Sequence, residues 1–201
     1  MQTLIQHIKK NFSPYTLARL LFPDLTWRLP IDENSVYITF DDGPIPQTTP
    51  WILDVLDKYD AKSTFFCVGE NVKKYPKLFE EIIRRGHSVG NHTYNHLNGW
   101  KTDTKKYLEN IELCEKIFHS TLFRPPYGKI RKNAAKILTQ KYRIVMWDVL
   151  TRDYDVNRSG EECFEVVKNK TQKGSIIVFH DSVKSIDSLK YALPKTLDYI
   201  Y

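Results

Sequence analysis

The sequence predicts an α/β fold in which a mostly parallel sheet is covered by helices, and three observations carry that reading. After Pro30, short strand-like runs alternate with stretches of helical periodicity, the pattern of successive βα units. The run Ile176, Ile177, Val178, Phe179 is continuously apolar, as expected of a strand buried on both faces. Titratable residues collect at the ends of the strand candidates: Asp41 and Asp42, His92 and His96, Arg124, Asp148, and His180 with Asp181. In parallel α/β folds the C-terminal strand ends share one face, and sites form there.

Taken in order, the segment Leu4 to Phe22 mixes Ile, Leu and Phe with Lys9, Lys10 and Arg19. That is the pattern of an amphipathic helix that docks on a domain or makes peripheral membrane contact, although Pro14 interrupts one continuous helix. Residues 1–30 are read as a basic, amphipathic N-terminal extension and residues 31–201 as one domain. Strands are expected over 36–40, 63–69, 87–92, 122–127, 143–149 and 175–181, where β-branched and aromatic residues cluster between turn signals. Helices are expected over Thr49 to Tyr59, Val72 to Arg85, Asp103 to His119, Lys132 to Gln140, Glu161 to Lys170 and Ile186 to Ile200. Arg84, Arg85 and Gly86 form a helix end, and Ser159 with Glu162 has capping-box spacing.

Composition narrows the function classes. The 201 residues are 41% hydrophobic and 13% aromatic, enough for one sizeable core and too apolar for disorder. A net charge of +6 suits polyanionic surfaces such as acidic glycans or lipid headgroups without selecting one, and nucleic acid is not expected as a partner. Cys67, Cys114 and Cys163 are odd in number and far apart, which argues against a disulfide framework or a thiolate zinc site. No run reaches the roughly 18 apolar residues of a membrane span, and no apolar signal core opens the chain, so location stays open. The N-x-[ST] matches at Asn91, Asn157 and Asn169 are read as chance.

Two short stretches suggest chemistry. In "HTYNH", His92 and His96 are spaced i, i+4, so one helical turn would present both imidazoles to a shared ion. In "TFDDGP", adjacent carboxylates close a strand, an arrangement that is costly at a folded core unless a cation compensates it. Two imidazoles and one carboxylate make an open N,N,O set for a divalent ion, while the second carboxylate remains free to take a proton from water. Side chains adjacent on a straight strand face opposite ways, so a bend at Gly43-Pro44 is expected to bring both aspartates into one cavity.

Together with "RPPYG" (124–128) and "IVFHD" (177–181), these stretches stand in the order of the motifs of the polysaccharide deacetylases of the NodB-homology type, carbohydrate esterase family 4. The chain resembles that family from about Val36 to Asp181. The resemblance implies a distorted (β/α) barrel of six or seven parallel strands, a closure that alternation alone does not distinguish from an open sheet, and it makes 31–201 the catalytic domain. It further implies metal-dependent hydrolytic N-deacetylation of an N-acetylglucosamine-type glycan, peptidoglycan or a chitin-like oligosaccharide, in the cell envelope or outside the cell; a monomer is expected. A metal-bound water would attack the acetamide carbonyl, with zinc the first choice of ion and cobalt, manganese or nickel also accommodated. Residue by residue, Asp41 matches the general base, Asp42, His92 and His96 the metal ligands, Arg124 the arginine holding the base, the Tyr127 N–H an oxyanion donor, and His180 the general acid.

The fourth motif departs from the pattern. Where the family usually carries D-x-x-D-W, this chain has "LTRDY", with Leu150 for the first Asp and Asp153 retained. The missing carboxylate normally supports the catalytic histidine, and Asp148, two residues earlier and so on the same strand face, is expected to substitute, with Asp153 the other possible support. Trp147 and Trp100 are candidate walls of a sugar groove. Two alternatives remain: a carbohydrate-binding or regulatory protein of this fold with little turnover, favoured by Leu150, and a hydrolase of cyclic imides or other amides.

Overall fold

The computed structural model describes residues 14–29 and 35–201. Most of the Leu4–Phe22 amphipathic pattern, and the boundary placed at residue 30, lie outside the described residues. What is described of that pattern is α1 (Pro14–Leu21), which starts on Pro14, where a missing N–H costs nothing. Ala18 and Phe22 pack against the core, while Leu20 and Leu21 are exposed.

Seven strands form one sheet: β1 (Tyr37–Asp41), β2 (Thr64–Cys67), β3 (Ser88–Asn91), β4 (Leu122–Phe123), β5 (Arg143–Ile144), β6 (Val149–Leu150) and β7 (Ile176–His180), in the order β5-β4-β3-β2-β1-β7-β6 with every pairing parallel. Between and after them lie α2 (Thr49–Lys58), α3 (Gly69–Lys74), α4 (Pro76–Arg84), α5 (Thr104–Glu115), α6 (Lys132–Leu138), α7 (Gly160–Lys170) and α8 (Ile186–Ile200). None of the described helices is long and apolar enough to cross a membrane. Central β1 and β7 are buried almost throughout, which is why their sequences do not alternate. One core cluster joins Phe40, Phe65 and Phe179 to Leu53, Leu56 and Leu193; a second gathers Trp27, Phe66, Phe123 and Trp147. The three cysteines are free and buried.

The sheet curls because one run of chain serves both of its edges. The strand expected over 143–149 is two strands: β5 pairs with β4, then the chain crosses and β6 pairs with β7. The joint is covered from outside by Thr26 to Leu29. Thr26 N–H donates to Ile144 O at 2.9 Å, Met146 N–H donates to Thr26 O at 2.7 Å, and Leu29 N–H donates to Gly174 O at 2.9 Å. Leu25 and Trp27 are buried beside these bonds, so this part of the segment grouped with the N-terminal extension is built into the domain.

Other differences have local causes. The helix expected over Val72 to Arg85 breaks at Tyr75, because Pro76 disfavours helical backbone before it and restarts α4 at its own first position. The strand expected over 122–127 pairs only at Leu122 and Phe123, since Pro125 and Pro126 have no N–H to donate. The capping box at Ser159 and Glu162 opens α7, and Gly86 closes α4 with a φ of +81°.

Candidate active site

Register builds the floor of the site. β1 and β7 align Asp41 with His180, and residues aligned on neighbouring parallel strands point to the same face about 4.8 Å apart. Thr39, two residues before Asp41, shares that face. Arg124, following β4, reaches into the barrel fully buried and donates to Asp41 Oδ1 at 2.7 Å, Thr39 Oγ1 at 2.8 Å, Val145 O at 3.1 Å and Met146 O at 3.1 Å. Its guanidinium lies 4.0 Å from the Phe66 ring centre.

The paired aspartates reach one cavity by a turn one residue earlier than the sequence suggests. Asp42 itself adopts φ +80°, leaving the strand in a left-handed conformation that swings its carboxylate to the side already holding Asp41. Gly43 is required by packing: a Cβ there would fall 2.1 Å from Asp181 Oδ2. Asp181 accepts hydrogen bonds from Thr48 and, at 2.5 Å, from Thr49, and its N–H donates to Asp41 O at 2.7 Å, so it buttresses the turn from beneath. Burial pushes its carboxyl up to about 7, with the threonine hydroxyls opposing and the Asp42 charge adding.

His92 and His96 converge, but not on a helix. Both lie in the loop after β3, where Thr93 and His96 take φ values of +64° and +56°. Asn91 Oδ1 accepts from Thr93 N–H at 2.8 Å, and Asn110 Oδ1 on α5 accepts from Tyr94 N–H at 2.9 Å, fixing a shape that helical hydrogen bonds would not allow. His92 Nδ1–H donates to Arg124 O at 2.8 Å, which leaves Nε2 as a lone-pair donor facing the cavity. Burial first, with the Asp41 and Asp42 charges opposing it, holds that imidazole at about 4, so it is neutral near pH 7.

The nearest ligand atoms of Asp42, His92 and His96 all lie within 4.8 Å of one another. Asp42 Oδ1 is 3.1 Å from His96 Nε2 and 3.7 Å from His92 Nε2, yet it is buried without a hydrogen bond. Burial would raise the Asp42 carboxyl; the His96 contact and the charges of His180 and His92 outweigh it and hold it at about 2. A buried anionic oxygen facing a neutral imidazole lone pair fits a divalent cation, which would complete an open N,N,O set.

His180 is supported by Asp153, and Asp148 is elsewhere. Asp153 Oδ1 accepts from His180 Nδ1–H at 2.8 Å and Oδ2 from His180 N–H at 2.8 Å, while Thr151 Oγ1 donates to Oδ1 at 2.9 Å. Burial alone would lower the imidazole; the charge and hydrogen bond of Asp153 win and raise it to about 9. Asp148 instead accepts from Ser175 Oγ and Ile176 N–H, both at 2.8 Å, and pairs with Arg28 Nε at 3.1 Å. Ile176 begins β7 and His180 ends it, so Asp148 sits at the opposite end of the barrel, about 13 Å away at 3.3 Å per residue. Asp148 therefore does not reach His180.

These groups open into a cavity of about 670 Å³ lined by Asp41, Asp42, His92, His96, Tyr127, Lys129, Trp147, Leu150, Tyr154, His180, Ser182, Val183 and Lys184. Of the two tryptophans expected to wall it, Trp147 does so and Trp100 does not. Trp100 is 56% exposed, and its indole N–H donates to Ile130 O at 3.0 Å. Tyr127 has φ +60°, with its ring 4.6 Å from that of His96. Asn110, Thr48 and Thr49 carry no motif signal, and the motifs that include Asn91 and Asp181 do not indicate their supporting roles; the HD pair and the two threonines after the bend are the sequence traces of the buttress.

Comparison with known proteins agrees with this geometry. The polysaccharide deacetylase family matches residues 29–143. A peptidoglycan-N-acetylglucosamine deacetylase from Bacillus cereus is 36% identical over 181 residues, 86% of this chain and 84% of its own. The crystal structure of the Bc1960 peptidoglycan N-acetylglucosamine deacetylase is 34% identical and superposes with a TM-score of 0.84 over 88% of this chain and 86% of that one. BA3943 from Bacillus anthracis, a pseudoenzyme of carbohydrate esterase family 4, is 25% identical with a TM-score of 0.75 over 87% of this chain and 63% of that one. Motifs gathered in order on one rim, a shared fold and this extent of identity lead to one conclusion: the chain belongs to the polysaccharide deacetylase family.

Proposed function

We propose that the protein is a metal-dependent hydrolase that removes acetyl groups from N-acetylglucosamine residues of a glycan, with peptidoglycan the substrate class named for its Bacillus cereus relative. The observation that carries this reading is the pairing of Asp41 and His180 at the same level of adjacent strands, side by side on the floor of a cavity that Asp42, His92 and His96 also line. Asp42, His92 and His96 would hold a divalent cation, zinc first among the candidates, which would supply Lewis-acid chemistry at the acetamide carbonyl and an acidified water.

The chain's own residues supply the proton movements. Arg124 engages Asp41 Oδ1, which leaves Oδ2, 4.0 Å from His92 Nε2, to accept a proton from the attacking water. The Tyr127 N–H is assigned to the carbonyl oxygen as charge develops on it, a type of contact worth about 3–4 kcal/mol in other hydrolases. His180, charged at neutral pH, delivers its proton to the departing nitrogen as the C–N bond breaks, and acetate and a free amine result.

Acetate release from N-acetylglucosamine oligomers of increasing length, with and without chelator and alongside His92→Ala, tests the proposal. Chelator-sensitive release absent from the variant supports it; release indifferent to both refutes it. Leu150 in the cavity wall favours a second reading, glycan binding with little turnover, for which tight binding without acetate release would be the result.

A further inference from the structure

The cavity wall carries two cations that the chemistry above leaves unused. Lys129 follows the Tyr127–Gly128 turn after β4, and Lys184 lies in the loop after β7. In the sheet order β3, β2 and β1 stand between those strands, so the two lysines reach the mouth from well-separated positions around it. Neither ammonium pairs with a carboxylate among the described residues. The Lys129 ammonium is instead poised 5.4 Å from the centre of the Trp100 ring, and Trp100 is held by its indole bond to Ile130 O and by Arg131, which donates to Trp100 O at 2.9 Å. This gives Trp100 a place outside the cavity wall: it steadies a charge at the edge.

The acidic groups lining the cavity are Asp41, neutralised by Arg124, and Asp42, committed to the two imidazoles. His180 is likewise paired with Asp153, so among the described residues Lys129 and Lys184 are the lining charges left without a counter-charge, and the mouth favours anionic ligands over a neutral oligosaccharide.

We propose that Lys129 and Lys184 are specificity determinants that pair with carboxylates borne by the glycan close to the acetamido sugar, selecting an acidic, carboxylate-bearing glycan of the peptidoglycan kind over a neutral chitin-like chain. The inference rests on the deacetylase reading and deepens it by choosing between its two substrate classes.

The test compares one muramic-acid-containing tetrasaccharide with free carboxylates, the same tetrasaccharide as its methyl ester, and a neutral N-acetylglucosamine tetramer. For the wild type, kcat/KM for the acid form should exceed that for the ester about 10-fold at low salt, and the advantage should shrink as salt rises. Lys184→Ala and Lys129→Ala should each cut the acid-to-ester ratio about 3-fold, Lys184→Arg should retain it, and Lys184→Glu should cut it further. An unchanged ratio across these variants, or a wild-type enzyme indifferent to esterification, would overturn the inference. Binding of the acid and ester forms is measured in the same series. If no substrate releases acetate, the deacetylase reading fails, while the binding ratio still decides the role of the lysines.

Discussion

Removing the charge of Asp153 is the perturbation whose size the structure fixes best. Asp153 is fully buried and binds His180 twice, through Nδ1–H and through the backbone N–H. Against the pull of burial, and with smaller help from the Asp42 and Asp41 charges, it lifts the imidazole from 6.5 to about 9, a difference worth about 3 kcal/mol in favour of the charged ring. Asp153→Asn keeps the shape and discards the charge. If His180 returns to its ordinary value, about 3% of it is protonated at pH 8, compared with about 90% in the wild type. For a proton donor, kcat/KM then falls about 30-fold at pH 8 and less than about 2-fold at pH 6, so the alkaline limb of the profile moves to lower pH. The assay is acetate release from an N-acetylglucosamine oligomer between pH 5 and 10. Asp148→Asn serves as the control and should leave the limb near pH 9, because Asp148 lies at the far end of β7. A loss in Asp153→Asn that is equal at every pH, or a limb that moves in Asp148→Asn, would show that the assignment of support to Asp153 is mistaken.

Arg124→Met withdraws four hydrogen bonds and strands the buried Asp41 charge, so stability should drop by about 3–5 kcal/mol in denaturant unfolding; a variant as stable as the wild type would contradict the ion pair described. Added zinc should raise the thermal midpoint of the wild type, by the equivalent of about 2.7 kcal/mol at 100 times Kd, and should do nothing for His92→Ala; a rise in both would place the ion elsewhere. Asp181 has its folded value raised to about 7 from 3.8, so the folded state holds its proton more tightly than the unfolded chain, and stability it contributes at low pH is lost as pH climbs through that window. The swing is of order 4 kcal/mol. Asp181→Asn should therefore flatten the stability profile between pH 4 and 7, and an equally steep profile in that variant would refute it.

What the sequence made legible followed from periodicity and chemistry that act locally. The continuous apolar run at 176–179, the capping box at Ser159 and the turn at Gly86 each appear where local rules put them. The grouping of Asp42, His92 and His96 as residues that could hold a metal ion was readable because residue type alone restricts what Asp, His and His can do together. The route by which they meet was not: the left-handed backbone at Asp42, Thr93 and His96 is held by partners outside the ligand-type residues, Asn91 close by and Asp181 and Asn110 distant in sequence. Asp148 shows the same limit. Alternation tells which way a side chain points but not how far along the barrel it sits, and that depth is set by the register of β6 against β7.

The strip from Thr26 to Leu29 has a practical bearing on any shortened form of this protein. A chain cut to begin at residue 31 would contain every motif residue yet would uncover the backbone groups of Ile144, Met146 and Gly174 and strip the covering from a neighbouring apolar surface. Unsatisfied edges of that kind recruit other chains. Such a fragment would be expected to cluster at concentrations where the longer protein stays dispersed, and an inactive preparation of it would say nothing about the roles proposed for Asp41 and Asp42.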